Sequence, residues 1–121
     1  MTTTRIFYLG LDIGNEESAY CIIDEEYRPV SFGKVPNEEL KVILLGCKRN
    51  IHREGATLMV ASEMVASYGM PVGKTVFETC VWIGVFKQLL EPHKTHFVYR
   101  SEVKMNLCGN MRAKDSNTRL S

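Results

Sequence analysis

The most constraining feature of the sequence is the run Arg5–Gly14, in which an aspartate interrupts an otherwise apolar stretch. The run is short and rich in residues that favour strands, so it predicts a β-strand with too few polar positions to be half-exposed. Asp12 lies between Leu11 and Ile13. Because burying an unpaired carboxylate costs several kcal/mol, we expect Asp12 to be paired, hydrogen-bonded or bound to a cation. The alternative is an acid that serves only a turn or a cap.

The rest of the chain predicts a mixed α/β fold. Turn residues and periodicity give two further strands joined by short turns, and then helices that alternate with strands. The predicted elements after the first strand are Ser18–Asp24, Val30–Val35, a helix from an Asn37 N-cap to just before Gly55, a strand Thr57–Glu63, a helix Lys74–Leu90, a strand His96–Arg100 and helical segments beyond Ser101. This order, βββαβαβα, predicts a β-meander followed by alternating helices and strands.

Composition restricts the class of protein. The chain has 121 residues, 45% of them hydrophobic and 24% charged, which predicts a single globular domain and argues against disorder. No apolar run is long enough to span a membrane and the N-terminus lacks a signal-peptide layout, so we expect a cytoplasmic protein. The four cysteines lack metal-binding spacing and are expected to be buried, reduced thiols.

Charge is distributed unevenly along the chain. Residues 1–47 contain eight acidic and four basic residues, whereas residues 48–121 contain six acidic and eleven basic residues. A basic C-terminal half permits a polyanionic partner such as nucleic acid, although the net charge of +1 does not require one.

Two acids could form a metal site. Asp12 and Glu63 lie at the polar ends of two apolar strands, and they could converge if those strands are neighbours. Oxygen-only ligands favour Mg²⁺ or Mn²⁺ over zinc. The alternative for Glu63 is a solvated strand end.

Four features of the sequence resemble those of one family. The family is that of the RuvC-like Holliday-junction resolvases, particularly the phage and prophage branch. The similar features are Leu9-Gly10-Leu11-Asp12-Ile13-Gly14, a second strand ending near Asp24, the strand that carries Glu63, and the segment with Lys104, Gly109, Ala113 and Lys114. The resemblance implies a ribonuclease H-like fold and a metal-dependent endonuclease that hydrolyses phosphodiesters in branched DNA. Asp12 and Glu63 would bind Mg²⁺ or Mn²⁺ as the catalytic acids. Lys104, Arg112 and Lys114 would contact DNA phosphates, and the helix around Val76–Leu90 would form a homodimer.

The sequence departs from that family at its end. Resolvases of this type carry further catalytic acids on a C-terminal helix, whereas Asp115 is the only acid after Glu102 here. Asp115 is either a substitute ligand or a helix-surface acid. We therefore expect residues 1–121 to form a single domain that is incomplete at its C-terminus.

Two other functions stay open. The chain could be a catalytically defective DNA-binding or scaffold domain of the same fold. It could also be a fragment of an actin-like ATPase or sugar kinase, because Leu9–Gly14 followed by a hairpin is similar to the first phosphate motif of those proteins.

Overall fold

The computed structural model describes residues 4–65 and 72–99, which form one five-stranded sheet and two helices. The elements in chain order are β1 (Ile6–Asp12), β2 (Glu17–Ile23), β3 (Pro29–Pro36), α1 (Asn37–Glu54), β4 (Thr57–Met64), α2 (Lys74–Leu89) and β5 (Thr95–Tyr99). Each element predicted within these residues is present, and its ends agree with the prediction to within two residues. The helical segments predicted beyond Ser101 lie outside the described residues.

The sheet has the strand order β3-β2-β1-β4-β5. The first three strands form an antiparallel meander, and β4 and β5 lie parallel to β1. Parallel neighbours need a crossover, and α1 and α2 lie in the two connections that lead into β4 and β5. The predicted α/β fold, a ribonuclease H-like mixed sheet, is therefore confirmed.

Both helices pack on the same face of the sheet and form one hydrophobic core with it. On β1 the residues directed at the helices are buried, whereas Gly10 and Asp12 on the opposite face are exposed. The prediction that β1 has too few polar positions to be half-exposed is therefore wrong for the described part of the chain. The side chains buried most completely in this core are Leu9, Leu40, Leu44, Phe86 and Leu90.

The two ends of α1 are determined by different residues. Asn37 was predicted to be the N-cap, but Pro36 holds that position and Asn37 is the first helical residue. At the other end Gly55 has φ 65° and donates its N–H to the His52 carbonyl at 3.1 Å. This left-handed conformation strains any residue with a Cβ, so the glycine is a strong stop signal.

The second helix, α2, is apolar on more than one side. Ile83 and Phe86 are buried in the core, and Trp82 stacks on Phe86 with 5.6 Å between ring centroids. Phe77 and Val81 are 60% and 66% exposed on the outer side. Phe86 is thus a core residue. The homodimer through Val76–Leu90 stays a prediction, and only the exposed side chains on the outer side of α2 support it.

The cysteines are less buried than predicted. Cys21 and Cys80 are exposed and Cys47 is half-buried, so the expectation of buried thiols is wrong for the first two. Burial raises the pKa of the Cys47 thiol. Cys108 lies outside the described residues. Within those residues, no helix is long and apolar enough to cross a membrane.

Asp24 closes the turn between β2 and β3. Its carboxylate accepts the Arg28 N–H at 3.0 Å and the Glu26 N–H at 2.9 Å. The hydrogen bond from the Arg28 N–H is the largest cause that lowers the pKa of Asp24 below its usual value. The hydrogen bond from the Glu26 N–H and the charge of Arg28 lower the pKa further, whereas desolvation raises it. Since β2 runs antiparallel to β1, this turn lies at the opposite end of the sheet from Asp12.

This lowered pKa predicts an acid-sensitive turn. A depressed folded-state pKa contributes stability above the unfolded-state pKa, and that contribution is lost as pH falls through the folded value. We expect urea unfolding between pH 5 and pH 2 to show a smaller loss of stability in Asp24→Asn than in the parent chain. Equal pH dependence in both proteins would contradict this role of Asp24.

Candidate functional site at the carboxyl edge of the sheet

Asp12 and Glu63 lie on adjacent parallel strands. The register of β1 and β4 pairs Gly10 with Ala61 and Leu11 with Ser62. Continued by one residue, it places Asp12 beside Glu63, where both strands end. We call this end of the sheet the carboxyl edge. Because side chains alternate along a strand, both carboxylates point to the face opposite the helices. The strands that carry Asp12 and Glu63 are therefore neighbours, which is the arrangement that the predicted metal site requires.

The environment of the two acids differs from the expectation. Asp12 is exposed and Glu63 is half-buried. The expectation that Asp12 is buried, and must therefore be paired, hydrogen-bonded or bound to a cation, is wrong, because solvent reaches its carboxylate on the face away from the helices. Within residues 4–65 and 72–99, no group of three or more His, Cys, Asp or Glu side chains could hold a metal ion. The edge thus offers a pair of neighbouring carboxylates.

Gly14 shapes the turn that follows Asp12. A Cβ at this position would lie 2.5 Å from the Glu17 carbonyl oxygen, closer than real Cβ atoms approach backbone. The Gly14 N–H donates to the Ser18 hydroxyl at 3.1 Å. The close approach therefore makes glycine necessary for the tight β1–β2 hairpin immediately beyond Asp12.

A buried polar pair fixes this hairpin to the start of α1. The Ser18 hydroxyl donates to Oδ1 of Asn37, whose Nδ2 donates to the Gly14 carbonyl at 2.9 Å. The Asn37 N–H also donates to the Glu16 carbonyl at 2.9 Å. Ser18 is 1% exposed and Asn37 is 2% exposed. Because each polar atom is desolvated and paired, the network holds the turn in one conformation.

Sequence reasoning missed this network. An asparagine after a proline at the start of a helix is typical of a helix cap, so Asn37 was assigned to its own helix. Its side chain instead bonds to the β1–β2 hairpin. Ser18 at the beginning of an apolar strand was the remaining signal, since a buried hydroxyl needs a partner.

The N-terminus of α2 also belongs to this edge. The helix lies in the crossover between the parallel strands β4 and β5, so it starts on the side where β4 ends. Lys74 is its first residue and its first turn contains no acidic residue, whereas the first turn of α1 contains Glu38 and Glu39. The electrostatic potential at the N-terminus of α2 is therefore more favourable for an anion than the potential at the N-terminus of α1.

The predicted DNA contacts cannot be placed at this edge. Lys104, Arg112 and Lys114, and Asp115 as the possible third acid, all lie outside the described residues. Their roles stay predictions, as does the branched-DNA partner.

Comparisons with known proteins identify similar solved structures at low sequence identity. No protein-family model and no curated protein matches this sequence. A glucokinase from Balamuthia mandrillaris in complex with glucose has a TM-score of 0.47 and 17% identity over 93% of this chain and 34% of that one. The Ppx/GppA family member from Aquifex aeolicus has a TM-score of 0.43 and 8% identity, covering 79% of this chain and 36% of that one. A foamy viral protease–reverse transcriptase in complex with double-stranded DNA has a TM-score of 0.36 and 14% identity, covering 78% and 21%.

These findings correct the assignment drawn from the motifs. The chain spans about a third of the length of the glucokinase and Ppx/GppA structures, and neither is a junction resolvase. The predicted membership of the RuvC-like resolvases, and with it the nuclease prediction, is wrong. The physical reason is that Leu9–Gly14 encodes a strand and a tight hairpin, which specify a fold more closely than a reaction. The similarities themselves concern the fold, and the function has to be argued from the carboxyl edge.

Proposed function

We propose that this chain is the phosphate-binding part of an actin-like ATPase or sugar kinase, in which Asp12 and Glu63 hold a divalent metal ion together with the phosphates of a nucleotide. The observation that carries the proposal is the pair of carboxylates on adjacent parallel strands, without a third ligand among the described residues. Mg²⁺ bound with a nucleotide takes oxygen ligands from the phosphates and needs only one or two protein carboxylates. The residues present therefore fit such an ion, either Mg²⁺ or Mn²⁺.

The hairpin beyond Asp12 supports a role in phosphate binding. Gly14 permits the close approach of its backbone to the Glu17 carbonyl oxygen, which keeps the turn next to Asp12 tight. The buried contacts of Ser18 and Asn37 hold that backbone in place before a ligand arrives. A rigid turn loses little conformational entropy on binding, which favours affinity for a small anionic group.

The start of α2 adds a favourable potential. Lys74 and the first turn of α2, which contains no acidic residue, begin on the side of the sheet where β4 ends, whereas the two carboxylates point to the other face. The partial positive charge of a helix N-terminus attracts phosphate. A bound metal ion would neutralise negative charge on the phosphates during phosphoryl transfer.

The proposal is tested by mapping where a metal–nucleotide complex binds. We expect ATP with a trace of Mn²⁺ to broaden the amide NMR signals of Ile13–Asn15 and of the residues around Glu63, because the paramagnetic ion relaxes nearby nuclei. Excess EDTA should restore the signals. In Asp12→Asn the apparent affinity should fall about tenfold, which corresponds to a loss of roughly 1.4 kcal/mol of binding free energy.

A matched variant controls for general charge effects. Glu54→Gln removes an exposed carboxylate at the end of α1, which precedes β4 and lies at the opposite end of the sheet. This variant should bind as the parent chain does. Broadening that Asp12→Asn leaves unchanged, broadening centred near Thr57, or none at millimolar ATP would contradict the proposal.

A further inference from the structure

A concavity lined by basic side chains lies at the end of the sheet opposite the carboxyl edge. It has a volume of about 410 Å³ and lies between the last turns of α1 and the segment that joins α2 to β5. α1 leads into β4 and that segment leads into β5, so the concavity lies where these two parallel strands begin. We call it the basic pocket. Its polar side chains are those of Lys48, Arg49, His52 and His93.

The charge of the basic pocket is not neutralised by the described part of the chain. No acidic side chain from residues 4–65 and 72–99 lines it. The two acids that adjoin its lining residues in sequence have other partners: Glu54 pairs with Arg5 at 4.0 Å, and Glu91 pairs with Lys87 at 3.9 Å. Arg49 is exposed and forms no ion pair with a described residue. A concave surface of one sign of charge attracts ions of the opposite sign, here anions.

Lys48 is held in place by the end of α2. Its ammonium donates to the Leu89 carbonyl at 3.1 Å. This bond uses one of the three N–H donors of the ammonium, so two stay available to a ligand. The charge of Lys48 also acts inside the pocket, because burial lowers the pKa of the half-buried His93 and the charge of Lys48 lowers it further. A positive charge that is fixed before a ligand arrives loses little conformational entropy on binding.

The helix end alone does not account for these bases. A helix C-terminus attracts positive charge, but the effect falls off within the last turn. In α1 the bases of that turn are His52 and Arg53. Lys48 and Arg49 precede it by about one turn, so the helix dipole gives no reason for two adjacent cations there.

The chemistry of the basic pocket favours a phosphate group. A guanidinium donates two parallel hydrogen bonds to phosphate, and an ammonium adds a compact positive charge. The volume is near the lower end of the range for small-molecule sites, which favours a small ligand over an extended nucleic-acid backbone. Since only basic groups line the pocket among the described residues, it repels divalent cations, and the phosphate that it binds is free of metal.

We propose that the basic pocket binds the metal-free phosphate group of a small molecule through Arg49 and Lys48, with His52 and His93 as further hydrogen-bond donors. The inference is independent of the nucleotide site, which lies at the other end of the sheet and requires a divalent metal ion.

The test follows the histidine ring protons by NMR while inorganic phosphate is added to the full chain. EDTA is present throughout and NaCl keeps the ionic strength constant, so neither metal binding nor general screening contributes. We expect the signals of His52 and His93 to shift and to saturate with a Kd on the order of 1 mM. His96 is the internal reference, since it lies on the sheet face away from the helices and should not shift.

Two arginine variants identify the group that binds. Arg49→Gln should weaken phosphate binding at least about tenfold, because it removes charge-assisted hydrogen bonds. Arg53→Gln is the matched control, since it removes the same charge from the next turn of α1 outside the lining of the pocket. It should bind phosphate within about twofold of the parent chain, because exposed charges at a distance are screened. Both arginines are exposed, so neither substitution should unfold the protein.

Four results would overturn the proposal. The first is the absence of shifts at His52 and His93 at phosphate concentrations well above the expected Kd. Equal losses in the two arginine variants would indicate general attraction by net charge. Equal affinity for acetate would reject phosphate as the ligand class. A DNA duplex that displaces phosphate at a far lower concentration would assign this surface to nucleic acid.

Discussion

Replacement of Gly14 by alanine is expected to lower the free energy of unfolding by about 2–3 kcal/mol. The added Cβ would lie 2.5 Å from the Glu17 carbonyl oxygen, so the hairpin backbone has to move. That movement would also disturb the hydrogen bonds of Gly14 with Ser18 and Asn37. Urea unfolding followed by circular dichroism measures the change, and the Mn²⁺–ATP experiment should show weaker binding in the same variant.

A second glycine provides the matched control. Gly46 lies within α1, and a Cβ there would meet nothing within 4 Å. Because alanine favours the helix more than glycine does, Gly46→Ala should raise the free energy of unfolding by about 0.5–1 kcal/mol. Opposite signs for the two variants are therefore expected. A Gly14→Ala protein as stable as the parent chain would contradict the steric argument for the hairpin.

Asn37→Ala is expected to lower the free energy of unfolding by about 2–4 kcal/mol. The change removes two side-chain hydrogen bonds and leaves the Ser18 hydroxyl and the Gly14 carbonyl without the amide that contacts them. Both groups lie at a buried junction, where an unpaired polar atom carries its full desolvation cost. Asn50→Ala on the exposed side of the same helix should change stability by about 0.5 kcal/mol or less.

A double-mutant cycle isolates the contact itself. Ser18→Ala removes the hydroxyl that donates to Asn37, so Asn37→Ala should cost at least about 1 kcal/mol less in that background than in the parent chain. Additive losses would mean that the two side chains stabilise the protein independently. In that case the network would not be the element that joins the hairpin to α1.

The candidate site shows where sequence reasoning succeeded and where it failed. Asp12 and Glu63 were identified because each is an acid at the end of an apolar run, which is a local signal. The contact between Ser18 and Asn37 was missed, since its partners are 19 residues apart and each has a plausible local role. The resolvase assignment failed because a short motif specified a strand and a hairpin, and the same fold can carry different chemistries.

Local sequence determined the elements of this protein. Apolar runs and Gly55 at the end of α1 set strand and helix boundaries, because propensity and turn geometry act over a few residues. Tertiary structure alone decided that β4 pairs with β1 in the register that places Glu63 beside Asp12, and that the face bearing both is free of the two helices. The physical reason is that register and layer order depend on side-chain packing between segments about 50 residues apart, which no local pattern encodes.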